Sequence, residues 1–234
     1  MNLVILEFEE KAEEINEYFN FVQTTTHLRG FIDNTDMIQV SQTVHNVLKA
    51  NMFLLLYNLV ESSFKNALEN ICLKIKNDNL KYKEVIPEIK KIWIEKEYKN
   101  FENIKNRQKS KFIMDKIDSI AEDIIAIEFY SNDEKTKNDD ISGNVDARVI
   151  NKINSKYGAK LESSPNIDTS SLLTVKTNRN NLAHGHKTFT ECGEDYTLND
   201  LKDIKNNSQA YMRFILEHIQ TFINNKKYKV EQNA

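Results

Sequence analysis

The chain has 234 residues, of which 40% are hydrophobic, and this is enough to bury one sizeable core. Its formal net charge of −3 argues against a protein that coats nucleic acid over its whole surface, so a nucleic-acid site would have to be local. With only 5 glycines and 2 prolines the chain has few turn residues, which favours helices over a sheet-rich fold.

The first predicted element is an acidic helix over residues 3–28, and no basic-then-apolar leader precedes it, so we do not expect a secretory signal. The strongest pattern follows at about 43–77, where apolar residues recur at steps of three and four. One stripe contains Phe53, Leu56, Val60, Phe64, Ala67, Ile71 and Ile75, and a second contains Leu48, Met52, Leu55 and Leu59. A helix that is apolar on more than one side belongs in the middle of a bundle.

The middle of the chain carries two more helical patterns, at roughly 84–99 and 108–130, the second marked by a stripe of isoleucines. These are Ile113, Ile117, Ile120, Ile124 and Ile127. Residues 131–144 are polar and charged, and such a segment cannot bury itself, so we expect a mobile loop there. A short helix closed by Gly158 follows.

Two helices are predicted in the last third of the chain. Asp168 is a candidate N-cap for the first of them, and Thr197 with Asp200 forms a capping box that starts the second. The stripe of this last helix consists of Leu201, Ile204, Ser208, Tyr211, Ile215, Ile219 and Phe222. We expect the lysine-rich tail after it to fray.

The longest apolar run of the chain, residues 52–57, is too short to cross a membrane, so we expect a cytoplasmic protein without a membrane partner.

Several kinds of site can be excluded from the sequence. There is no Gly-rich phosphate loop, no G-x-S-x-G elbow and no histidine pair at metal-binding spacing on a helix, and two cysteines are too few for a zinc site. We therefore expect neither a metal nor a cofactor. What remains is the segment 169–190, which contains Lys176, Arg179, His184, His186 and Lys187 and no acidic residue.

This acid-free segment is a local attractor for phosphate. An arginine can clamp phosphate oxygens with two hydrogen bonds, and an imidazole can exchange a proton near neutral pH. Cleavage of RNA by its own 2′-hydroxyl needs these two groups and neither a metal nor a covalent enzyme intermediate. On one regular helix, however, Arg179 and His184 would point about 140° apart with a rise of ~7.5 Å. Either the helix ends near Gly185 and His184 turns, or a two-fold dimer supplies a second pair.

The same residues also fit an ordinary helix terminus, because a histidine before a C-terminal glycine is favourable at the negative end of a helix dipole. A resemblance separates the two interpretations. Residues 179–185 match the R-N-x-L-A-H-G form of the arginine–x(4–6)–histidine signature of HEPN domains (higher eukaryotes and prokaryotes nucleotide-binding). The chain resembles the MAE-type, or RiboL-PSP-HEPN, toxin-like branch at further positions: Gly143 to Asp146, Ile150, Tyr157, Gly158, Phe189, Gly193, Tyr196, Thr197, Asp200 and Leu201.

The resemblance implies an all-α helical bundle of the HEPN type, with a long central helix and an inserted helical and loop segment at 78–166 of a single domain covering 1–234. It also implies a homodimer whose signature motifs face each other. Arg179 and His184 would be catalytic and Asn180 supporting. Glu61 is our candidate for the polar residue of an earlier helix that faces the arginine; the alternative is a surface pair with Lys65.

Two functions follow from this comparison. The first is a metal-independent endoribonuclease of a toxin or phage-defence system, with RNA as its substrate and an antitoxin or defence-system protein as a partner. Lys176, Lys187 and His186 would then bind RNA beside the catalytic pair. The second is a non-catalytic helical dimer that binds a nucleotide, an RNA or a partner protein.

Overall fold

The structure is a computed structural model that describes residues 3–25, 29–32, 36–119, 125, 141, 144–162 and 166–231. Helices dominate it, as predicted. The elements in chain order are α1 (Leu3–Thr25), β1 (Arg29–Ile32), β2 (Asp36–Gln39), α2 (Gln42–Asn77), a 3-10 turn (Tyr82–Glu84), α3 (Pro87–Glu102), α4 (Asn106–Ser119), α5 (Ala147–Lys156), α6 (Ser170–Ala183), α7 (Phe189–Glu194) and α8 (Leu198–Asn224). None of the described helices combines the length and the apolar character that a bilayer crossing requires.

The long central helix is confirmed as α2, within one residue of its predicted start and at its predicted end. Both of its predicted apolar faces contribute buried residues, among them Phe53, Leu56, Phe64, Ile71 and Ile75 at 0% exposure and Met52 and Leu59 at 2% or less. Such burial on more than one side is what places a helix at the centre of a bundle.

A small hairpin was not predicted from the sequence. Strands β1 and β2 pair in antiparallel fashion, with Arg29 opposite Gln39 and Ile32 opposite Asp36. Four-residue strands are too short to show a clear alternation of apolar and polar residues.

The chain divides into two compact units. Unit 1 consists of Met1–Phe64, Ile141–Val149 and Pro165–Leu216, and unit 2 of Lys65–Asp140, Ile150–Ser164 and Glu217–Ala234. The prediction of a single domain with an insertion at 78–166 stays a prediction.

In unit 1, α1 packs antiparallel to the first part of α2 and to α8. Along α2, Tyr18 donates to the carbonyl of Leu48 at 2.9 Å and Lys11 donates to Ser62 at 3.2 Å. Three hydrogen bonds join α8 to α1, and their order along α8 is the reverse of their order along α1. They run from Lys205 to Asn16, from Gln209 to the carbonyl of Ala12, and from Arg213 to Glu9. The part of the predicted α8 stripe that lies in unit 1, from Leu201 to Ile215, faces inward, since its residues are 9% exposed or less. Ile219 and Phe222, in unit 2, are buried as well.

In unit 2, the tail after α8 is held in place, so the prediction that it frays was wrong for residues 225–231. Tyr228 is 1% exposed and its hydroxyl donates to Asp78 at 3.0 Å. Lys226 and Lys229 form ion pairs with the same carboxylate, and Lys229 forms a β-bridge with Val85. These partners lie 140 or more positions earlier in the chain, and the composition of the tail gave no sign of them.

The predictions for the middle of the chain had mixed outcomes. α3 and α4 begin close to the predicted positions, and Trp93 is buried in unit 2. Ile113 and Ile117 are 44% and 66% exposed, and the rest of that stripe, Ile120, Ile124 and Ile127, lies outside the described residues. The expected mobile loop at 131–144 also lies outside them, except for Ile141 and Asn144.

Candidate active site around Arg179 and His184

The N-cap predicted for α6, the helix that carries the motif, was wrong by one residue, since Thr169 and not Asp168 occupies the cap position. The Asp168 carboxylate still accepts the N–H of Ser170 at 2.9 Å. The helix ends at Ala183, and a left-handed residue, Gly185 with φ +69°, follows His184.

This helix end is a Schellman motif, in which two N–H groups beyond the helix bond back to its last carbonyls. The N–H of His186 donates to the carbonyl of Asn181 at 2.8 Å, and that of Gly185 to the carbonyl of Leu182 at 3.3 Å. His184 therefore lies just outside the helix, which is one of the two arrangements that the spacing of the motif left open. Its side chain is exposed.

The side chain of Arg179 is half-buried, and among the described residues it contacts Tyr57 and Asn180. Its guanidinium carbon lies 4.4 Å from the centre of the Tyr57 ring, a cation–π distance. Its Nη1 donates to the Oδ1 of Asn180 at 2.9 Å. The supporting role of Asn180 stays a prediction.

Glu61, the residue proposed to face the arginine, is half-buried on α2, one turn after Tyr57. The hydroxyl of Tyr57 accepts the N–H of Val145 at 3.3 Å and donates to the Glu61 carboxylate. Burial raises the pKa of Tyr57; the Val145 bond and the charge of Arg179 oppose this rise, and Glu61 adds to it. The structure therefore brings Glu61 and Arg179 to the same tyrosine.

Lys176, predicted to bind RNA, forms an ion pair with Asp146 within unit 1. Its side chain is 16% exposed, and its ammonium bonds at 2.5 Å to Asp146, whose side chain is 3% exposed. Burial alone would raise the pKa of Asp146, but its bonds from Lys176, from the N–H of Val149 and from Arg148 outweigh burial and lower the pKa to about 2. A phosphate would have to displace this ion pair in order to bind Lys176.

Lys187 and His186 lie at the surface after the helix. Lys187 pairs with the exposed Asp195, which raises the pKa of this lysine. The ring of His186 lies 5.9 Å from that of His184. Their roles in binding RNA stay predictions.

Asn178 lies within the acid-free segment 169–190 but is only 4% exposed. Its amide donates to the carbonyl of Thr174 at 3.0 Å and to the Tyr196 hydroxyl at 2.7 Å, and its oxygen accepts the thiol of Cys192 at 3.4 Å. Asn178 thus ties α6 to α7 and to the start of α8, a packing role that its residue type did not reveal.

Gly193 allows α7 to approach α2 closely. A Cβ at this position would lie 2.0 Å from the carbonyl oxygen of Asn46. Because that neighbour is backbone, only glycine fits, and this gives a steric reason for one position of the family resemblance.

Tyr57 is the residue of this site that the sequence analysis missed. It is the last residue of the apolar run 52–57 in α2, and no role was assigned to it from the sequence. Its four-residue spacing from Glu61 was the available signal, since positions i and i+4 share a helix face.

Within the described part of the chain, no group of three or more histidine, cysteine or acidic side chains could hold a metal ion.

The comparison with protein families decides the identity of the fold. The pattern of the family described as HEPN_MAE_28990-like HEPN matches residues 3–228. The chain belongs to this family. No match was found among curated proteins, and none among solved structures. HEPN domains are in general ribonuclease or nucleotide-binding modules, and they commonly bind RNA and form dimers.

Proposed function

We propose that this HEPN protein is a metal-independent endoribonuclease of the cytoplasm, in which His184 transfers protons and Arg179 stabilises the phosphoryl charge. The observation that carries the proposal is the way Arg179 is held. The Tyr57 ring, centred 4.4 Å from the guanidinium carbon, contacts the group without an opposing charge, and Asn180 accepts a hydrogen bond from its Nη1. A half-buried cation supported in this way is suited to a phosphate.

The reaction follows from the chemistry of RNA. An imidazole takes the proton of the ribose 2′-hydroxyl as its oxygen attacks the adjacent phosphorus, and the bond to the 5′-oxygen breaks. Negative charge that builds on the phosphoryl oxygens is stabilised by the guanidinium. The products are a 2′,3′-cyclic phosphate and a 5′-hydroxyl, once the departing oxygen has taken up a proton.

We propose that two copies of the chain form the working enzyme. The exposed side of α6 supports this, because it carries Leu173 at 41% exposure, then Thr177 and finally His184. A second copy against this side would bring a second imidazole to the cleft, so that one could act as base and the other as acid. Sedimentation of the purified protein tests the dimer directly.

The decisive experiment is cleavage of end-labelled RNA in the presence of excess EDTA. We expect the wild type to cut and His184→Ala to lose all measurable cleavage at an unchanged Tm, because the exposed imidazole adds little to stability. Arg179→Ala should lose about 100-fold or more in rate. His218→Gln and Arg107→Ala, which replace the same residue types in unit 2, should cut like the wild type.

A single 2′-deoxynucleotide at the cleavage site separates this mechanism from hydrolysis by an external water. Cleavage there should stop, because the nucleophile is missing. Undiminished cutting by His184→Ala, or cutting that EDTA abolishes, would refute the proposed mechanism. Binding of RNA or nucleotide without turnover between pH 5 and 9 would instead identify the chain as a binding module.

A role as a toxin of a phage-defence system makes a separate prediction. Induced expression in bacteria should arrest growth and fragment RNA, and the His184→Ala protein at the same level should do neither. An antitoxin or defence-system partner would be recognised by its ability to restore growth with the wild-type protein present.

A further inference from the structure

We infer that Tyr57 is a positioning residue of the proposed nuclease site, whose ring holds the Arg179 guanidinium in the orientation that receives a phosphate. The inference rests on the proposed function and names a residue that the family signature does not contain. The hydroxyl of Tyr57 accepts the N–H of Val145 and donates to the Glu61 carboxylate. These two bonds keep the tyrosine in place.

The contact with Arg179 favours a binding role because of the chemistry of the two groups. The guanidinium carries five N–H donors in one plane, and a cation–π contact places it over the face of an uncharged aromatic ring. Tyr57, centred 4.4 Å from the guanidinium carbon, therefore restrains the group without supplying an opposing charge. A bidentate carboxylate would restrain it equally well, but it would consume two donors and offset the charge that a phosphate needs.

Burial and hydrogen bonds fix the position of Tyr57. Tyr57 is 1% exposed, and its hydroxyl meets a backbone N–H of Val145, which is also 1% exposed. The next residue, Asp146, is fixed by bonds from Lys176 and from the first turn of α5. The ring is therefore held by burial and by hydrogen bonds within unit 1, and Arg179 can take its orientation from it.

The first test measures the contact itself and does not depend on nuclease activity. In a protein with ¹⁵N-labelled arginine, ring current should shift the Nε–H signal of Arg179, which Arg179→Lys identifies among the 5 arginines of the chain. Tyr57→Leu should remove this shift, and Tyr57→Phe should keep it. An Arg179 signal that is the same in wild type and Tyr57→Leu would refute the inference, whether or not the protein cuts RNA.

The second test is a double-mutant cycle on cleavage rates. Tyr57→Leu should lower kcat/KM about tenfold, the size of a partly desolvated cation–π contact. It should have no further effect in the Arg179→Ala background, because the group it positions is gone. Tyr57→Phe should stay within about threefold of wild type while its Tm falls, since the Val145 N–H loses its acceptor.

Phe64→Leu is the matched control, because it removes a fully buried ring from the same helix, two turns further on. It should lower Tm, and its effect on cleavage should be small and unchanged in the Arg179→Ala background. If Tyr57→Leu lowered the rate equally with and without Arg179, its effect would be one of general stability and the positioning role would be excluded. A wild type that cuts no RNA but shows the shifted Arg179 signal would refute the nuclease proposal and leave the contact standing.

Discussion

The buried ion pair between Asp146 and Lys176 should be a principal stabilising contact of unit 1. The carboxylate is 3% exposed and accepts the N–H groups of Arg148 and Val149 as well as the Lys176 ammonium. Lowering its pKa from 3.8 to about 2 corresponds to about 2 kcal/mol of folding free energy at pH 7. Asp146→Asn, which keeps an oxygen for the cap but removes the charge, should therefore cost about 2 kcal/mol.

The pH dependence gives the sign of this effect. Because the folded pKa lies below the unfolded one, the contribution is present above pH 3.8 and is lost as the pH falls towards 2. The difference between wild type and Asp146→Asn should thus be constant from pH 7 to pH 5 and fall to about half at pH 3. Urea titrations followed by circular dichroism measure it directly.

A control variant is available at the start of α6. Asp168 also accepts a helix N–H, from Ser170, but it is exposed, and the side-chain oxygen of an asparagine can accept the same bond. Asp168→Asn should change the free energy of unfolding by less than about 0.5 kcal/mol. Equal losses in the two variants, or a loss for Asp146→Asn that stays the same down to pH 3, would show that capping rather than charge accounts for the effect.

Two further predictions concern packing and thiol chemistry. Gly193→Ala should destabilise the protein by about 3 kcal/mol, since its Cβ would lie 2.0 Å from the backbone of Asn46. Gly185→Ala, which meets open space but has φ +69°, should cost about 1 kcal/mol. Thermal melts of both variants test this, and equal losses would contradict it. Burial raises the pKa of Cys72 to about 12 and that of Cys192 to about 11. Neither thiol should react with a disulfide reagent at pH 8 until urea unfolds the protein, and rapid labelling of the native protein would refute this.

Much of the fold could be predicted because it depends on local patterns. The steps of three and four in α2 and α8 mark the faces that must be buried, and Thr197 with Asp200 marks where α8 starts, which the bonds at 2.8 and 3.1 Å between them confirm. The hairpin was missed because strands of four residues carry too little periodicity. The tail was misjudged because its partner, Asp78, lies about 150 positions away in the chain.

The site shows the same division. The sequence by itself determined the candidate residues, since Arg179, Asn180, His184 and the glycine that ends the helix stand in one short block whose order needs no tertiary contact. Their catalytic roles stay predictions. Only the tertiary structure decided how these groups are held, because the contacts that orient them come from distant segments. Tyr57 reaches Arg179 from α2, and Asp146 engages Lys176 from the start of α5. Such pairings depend on the packing of helices and not on spacing along one helix, and for that reason no local pattern could reveal them.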